Sequence, residues 1–134
     1  MMRGAALLLV LAGCPTSAKP SQCTTDPDCG GLVCARNGDC LSANQIWMVK
    51  VTWTIRGMPA SPTTCATTPS FYLQFDGQTT NDTFGYTPVP CDAGIFSIDK
   101  IPRRFFQVEL GVDQRFTDIA LIDAMGAAKF DIYP

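Results

Sequence analysis

The chain has 134 residues, with 10 basic and 12 acidic side chains, seven cysteines and no histidine. That length suits one small domain with an appendage, and the slight acidic excess does not supply the clustered basic surface a nucleic-acid partner requires. Without an imidazole, Ser-His-Asp and Cys-His catalysis, His-ligated zinc and His proton relays are all excluded.

Residues 1–13 have the three parts of an export signal. Arg3 is the positive flank, Ala5–Ala12 an unbroken apolar run, and Ala12 and Gly13 the small residues before a cut. As a helix the run reaches about 12 Å, far short of a ~30 Å hydrocarbon core. The tetrapeptide Leu11-Ala12-Gly13-Cys14 resembles the lipobox of bacterial lipoproteins. That resemblance implies cleavage before Cys14, diacylation of its thiol and acylation of the new amino terminus. Several acyl chains are what stable anchoring requires, so the expected location is the bacterial cell envelope, at its outer membrane. The alternative is an ordinary export signal that removes Cys14 with it. Either way Cys14 is the odd member of the seven, and the others can pair in an oxidising compartment.

Residues 14–22 read as a lipidated tether of Pro, Ser, Thr and Lys with nothing to bury; its part after Cys14 spans at most about 26 Å. Residues 23–41 form a Cys-rich module, with Cys23, Cys29, Cys34 and Cys40 spaced C-x5-C-x4-C-x5-C. Only Leu32, Val33 and Leu41 offer aliphatic burial, so two bridges must hold it, and the spacing leaves three connectivities open. The alternating pattern, Cys23–Cys34 with Cys29–Cys40, resembles the half-EGF or knottin-like modules of secreted proteins. Asp26, Asp28 and Asp39 offer oxygens for calcium, but turn capping accounts for the same residues. The C-x2–4-C pairs of zinc clusters are missing. No cofactor or metal is expected.

From residue 46 the pattern has period two. Trp47, Val49, Val51, Trp53 and Ile55 share one face of a strand, and Met48, Lys50, Thr52 and Thr54 the other. Further strands are predicted over 71–75, 83–87, 94–98, 105–112, 118–122 and 129–133. Turn signals separate them at Met58-Pro59, Asp76-Gly77, Pro88–Pro90, Ile101-Pro102 and Met125-Gly126. The expected fold class is all-β: a small antiparallel β-sandwich of about seven strands over 46–134, preceded by the disulfide-stapled segment. Cys65 and Cys91 flank the 71–75 strand and are expected to bridge.

The run Gly94–Pro102 followed by Phe106–Leu110, with a later Asp123-Ala124-Met125-Gly126 turn, resembles a hairpin of carboxypeptidase-regulatory-like, transthyretin-like and CNA-B-like sandwiches. It departs from them at Arg103-Arg104-Phe105, where those families carry Ala-Gly. The resemblance implies a binding or spacer module. Taken whole, the chain resembles the small Cys-rich surface lipoproteins of Gram-negative bacteria.

Functional side chains are sparse. Trp47, Trp53, Phe71, Phe75, Phe96 and Phe106 fit a core, whereas Tyr72, Phe84, Tyr86, Phe105 and Phe116 fit its register less well and are the aromatics available for display. Asp76, Asp82, Asp92, Asp99, Asp118 and Asp123 lie in or beside turns, so capping competes with any glycosidase pair. Arg103 and Arg104 read as a solvated face or edge protection, and Ser97 and Lys100 have no dyad spacing. Asn81-Asp82-Thr83 matches a glycosylation acceptor, but in a bacterial cell it is loop composition. The expected function is that of a membrane-anchored envelope module, not an enzyme, binding or spacing a protein or polysaccharide. The alternative assigns activity to the Cys-rich module as a small inhibitor or receptor-binding knob on a spacer; a histidine-free Asp hydrolase comes last.

Overall fold

A computed structural model of the chain describes residues 21–112 and 115–134, with backbone only for 115–117. The expected export signal, Cys14, most of the expected tether and the Phe116 side chain lie outside the described residues. The Cys-rich module contributes a single turn of 3-10 helix at Asp26–Cys29 and a two-residue ladder of β1 (Val33–Cys34) and β2 (Cys40–Leu41). After a second 3-10 turn, Ala43–Gln45, the sandwich begins with β3 (Ile46–Ile55). Its alternation sends Val49, Val51, Trp53 and Ile55 inward and leaves Met48 and Lys50 exposed, because adjacent side chains in a strand point to opposite faces.

The remaining elements are β4 (Met58–Pro59), β5 (Ser70–Asp76), β6 (Thr83–Pro90), β7 (Ile95–Pro102), β8 (Gln107–Val112), β9 (Arg115–Leu121) and β10 (Ala127–Ile132). One sheet has β3 at its centre, β10 on one side and β7 and the short β4 on the other; the second runs β6-β5-β8-β9. Both sheets contribute to one core, in which Phe75, Leu73, Val108 and Leu110 from the second face Val49, Val51 and Phe130 from the first. Trp53 locks the layers: its ring meets Phe71 edge-on at 5.7 Å, and its Nε1 donates to the Cys91 carbonyl at 2.7 Å. The Cys65–Cys91 disulfide lies in the same core, both residues at most 3% exposed.

Four details differ from the sequence expectation. The sheets are antiparallel except at one pair: β10 runs parallel to β3, with Phe130 beside Trp53. A parallel neighbour needs a long crossover, and here the whole second sheet provides it. The β3–β4 turn is Arg56-Gly57, two residues before the expected Met58-Pro59. Both turn residues have left-handed backbones (φ 51 and 75), as a two-residue hairpin turn of type I′ requires. Phe105 is wholly buried and Phe106 is 45% exposed, the reverse of the expected assignment. The chain turns at Arg103-Arg104, Phe105 N–H donates to Pro102, and regular strand starts only at Gln107, so alternation counted back from Val108 fails.

The fourth detail is a bulge in β7. Val49 pairs with Ile98 but Trp47 pairs with Ile101, so Asp99 and Lys100 together oppose Met48. Lys100 has a left-handed backbone, φ 56. The extra residue twists the strand and re-aims its neighbours.

Replacing Cys65 and Cys91 together by Ala frees a loop with a sequence separation of 26. In the chain-entropy picture this costs about 3–4 kcal/mol. Urea unfolding followed by tryptophan fluorescence should show that loss; an unchanged midpoint would mean the bridge does not constrain the unfolded chain.

Candidate functional site

The four cysteines of the module pair as Cys23–Cys34 and Cys29–Cys40 and form its own buried centre, separate from the sandwich core. The sulfurs of Cys23, Cys29 and Cys40 lie within 4.8 Å of one another, but all are consumed by these bridges, so no thiolate set is left for a metal. Asp28 closes the first turn. It accepts from the backbone N–H groups of Thr24 (3.0 Å) and Thr25 (2.8 Å) and from both hydroxyls. Those donors, the backbone groups foremost, hold its carboxyl down at about 2.

With an apolar centre this small, the module reaches the sandwich through charge. Arg36 pairs with Asp99. Lys100 Nζ donates to both Asp26 oxygens at 2.9 and 2.8 Å. Arg104 Nη2 donates to Asp39 at 2.7 Å, while its Nε and Nη2 also engage Asp82 in the β5–β6 loop. One backbone bond, Arg36 N–H to the Lys100 carbonyl at 3.0 Å, completes the contact. The sandwich partners all come from the bulge and the turn after β7, which the bulge aims at the module. Lys100 is the first cause, and the Cys34 N–H the second, of the lowered Asp26 pKa. Asp82 chiefly, with Asp39, holds the Arg104 proton more tightly than usual, against the opposing effect of burial.

Arg104 is therefore not the solvated residue the sequence suggested: it joins three parts of the chain and also covers the Phe105 ring at 5.2 Å. Arg103 is exposed, with its guanidinium 5.2 Å from the Trp47 ring centre. Asp26, Asp28 and Asp39 point at different protein donors and share no centre.

Two shallow grooves meet at Arg36. One, about 400 Å³, has Ser21, Thr24, Asn37 and Phe84 in its walls. The other, about 380 Å³, is lined by Arg36, Met48, Tyr86, Phe96, Ser97, Ile98 and Asp99. Their rings form a broken row, with Phe84 and Tyr86 6.0 Å apart at 80° and Tyr86 and Phe96 5.1 Å apart at 46°. Phe84 also stacks on Phe75 and meets Phe105 edge-on, so it is half core and half wall. Burial pushes the Tyr86 phenol up, a shift opposed by Arg36 and reinforced by Asp99. Tyr72, a further aromatic expected to be available for display, lies against Gly111, where an added Cβ would come within 1.9 Å of its ring.

The remaining carboxylates are dispersed. Asp123 accepts from the backbone of Met125 and Ala127, and Asp118 from Ile119. Asp76 accepts from Gln74 and Gln107 on the outer face of the second sheet. Beside it Glu109, which the sequence reading passed over, has its pKa raised by burial first and then by the charge of Asp76. Asp92 is exposed on the Cys91–Ala93 turn. Lys100 is committed to Asp26, and Ser97 lies in the wall of the second groove. Arg36 and Met48 were not legible as site residues, because only the bulge and the docked module bring them to one groove.

Fold and site together define a disulfide-stapled all-β unit with a charge-held module and an apolar groove beside it. No family model, curated protein or solved structure matches the chain.

Two outcomes test the clasp. The carboxyls of Asp26 and Asp28 lie below their ordinary values in the folded chain. Their contribution is therefore fully present above about pH 4 and is lost as pH falls from about 4 toward 2. Urea midpoints should fall as pH drops from 4 toward 2; a level midpoint across that range would contradict these carboxylate contacts. Arg104→Met removes the ion pairs that Arg104 makes with Asp39, whose side chain is 9% exposed, and with Asp82. It should destabilise by about 1–3 kcal/mol, read in the same assay, whereas a neutral result would make Arg104 a bystander.

Proposed function

We propose that this protein is a lipid-anchored module of the bacterial cell envelope that binds or spaces a protein or polysaccharide without transforming it. The observation that carries the reading is the lipobox-like tetrapeptide ending in Cys14, followed closely by a unit whose remaining cysteines are all engaged in disulfides. Bridges of this kind belong to oxidising compartments, which is where a lipobox sends a chain. From Cys14 to Ser21 an extended chain reaches about 25 Å, so the groove beside Ser21 and Arg36 stays close to the bilayer. A binding role draws support from the groove at Arg36, whose Met, Tyr, Phe and Arg walls are residue types enriched at interfaces. Because the module and the sandwich both contribute walls, they act as one binding unit.

In bacterial cells, wild-type chain should partition with membranes and carry acyl mass on Cys14, while Cys14→Ser should appear in the soluble envelope fraction with its bridges intact. Fractionation and intact mass, before and after reduction, give both answers. A wild-type chain with no acyl mass overturns the anchor. A hydrolase activity on envelope substrates, lost on changing one polar residue, overturns the non-enzymatic role.

A further inference from the structure

The outer edge of β7 bears directly on the second groove. β7 has a neighbour, β3, on one side only, and β6, whose Tyr86 ring meets Phe96 of β7, is likewise the outer strand of its sheet. Trp53 N–H donates to Gly94 at 3.2 Å, and the register continues with Val51 opposite Phe96 and Val49 opposite Ile98. In an antiparallel ladder every second pair exchanges hydrogen bonds. Gly94, Phe96 and Ile98 thus face β3, and the N–H and C=O groups of Ile95 and Ser97 point away from it. Among the described residues no hydrogen bond reaches that outer row.

Open edges invite pairing, and folded proteins usually blunt them. Here the blunting stops at both ends of a short window. Pro88 and Pro90 close the far part of β6. On β7 the bulge and the Arg36 N–H on the Lys100 carbonyl close the other end, so a segment of this chain already pairs on the outer edge three residues beyond Ser97. Between them lie Ile95–Ile98, with Met48 61% exposed and Ile95 44% exposed alongside.

We infer that this window takes an extended, uncharged segment of a partner protein as an added strand on β7, seating alternate apolar side chains in the groove of Met48, Tyr86, Phe96 and Ile98. Strand addition draws affinity from main-chain bonds and specificity from pockets for every second side chain, and edge and groove supply both. The two charged residues in the groove's lining, Arg36 and Asp99, pair with each other, so the lining itself offers a partner segment apolar walls and no charge of its own to satisfy. The rings are inclined at 46° and 80°, not coplanar, so they do not make a flat stacking platform for successive sugars. A flexible thioether at the rim suits a protein side chain. The inference rests on the binding role proposed above and deepens it.

The test places photoreactive benzoylphenylalanine in place of Met48 in the full chain in cells, with Leu121, 69% exposed on β9, as the control position. Ser97→Pro removes an outward N–H that the fold does not use and is tolerable on an edge strand. The expected result is one protein adduct from Met48, mapping to an extended segment with alternate apolar residues. Ser97→Pro should cut it at least tenfold while keeping the three bridges and the membrane partition. A synthetic peptide of the mapped segment should bind the wild type and weaken about tenfold with Met48→Ala. The inference is overturned by an adduct that persists with Ser97→Pro, by a second copy of this chain as the adduct, by a glycan ladder, or by no adduct from Met48. An adduct from Leu121 alone sinks strand addition and leaves the binding role standing; no adduct from either position sinks both.

Discussion

The contact on which the architecture depends is the set of ion pairs between the Cys-rich module and the end of β7. Lys100 adopts a backbone that an L-residue avoids, at a cost of about 1–2 kcal/mol. In return the bulge turns its carbonyl toward Arg36 and its ammonium toward Asp26, and Asp99 and Arg104 complete the clasp. Exposed pairs are individually weak. Their joint effect is larger here because Arg104 and Asp39 are mostly shielded and because one backbone bond fixes the geometry.

Covalent bridges and a modest core divide the remaining work. The module buries little besides its own cysteines, so two bridges substitute for the hydrophobic interior that so short a segment cannot assemble. The sandwich has a true core, with Trp53 bonded to Cys91 at its centre and the third bridge beside it. Because the two centres do not merge, the seam between them stays polar and accessible, and the grooves open there. A larger apolar contact would have fastened the module more tightly and closed the space beside Met48 and Phe96.

Much of the fold was legible in the sequence because alternation in a half-buried strand is a local property. Val49, Val51, Trp53 and Ile55 face inward as their spacing predicts, and the later strands lie within a few residues of their expected places. What escaped were features set by distant contacts or by one inserted residue. The parallel β10–β3 pair depends on where a strand docks after the chain has crossed the sandwich. The exchange of Phe105 and Phe106 follows from a turn that resets the alternation, and the role of Arg104 from Asp39 and Asp82, which are remote in sequence. The groove was hidden for the same reason: Arg36, Met48, Tyr86 and Phe96 come from four segments, and a bulge with no sequence signature brings them together.

The docking of the module is the claim most open to direct measurement, by 15N relaxation of the full chain in solution. If the clasp holds, amides of 23–41 and of 46–55 report one rotational correlation time at neutral pH and moderate salt. A shorter time for 23–41 than for 46–55 would mean that the module tumbles on a linker, and the groove at Arg36 would then not exist as a fixed site.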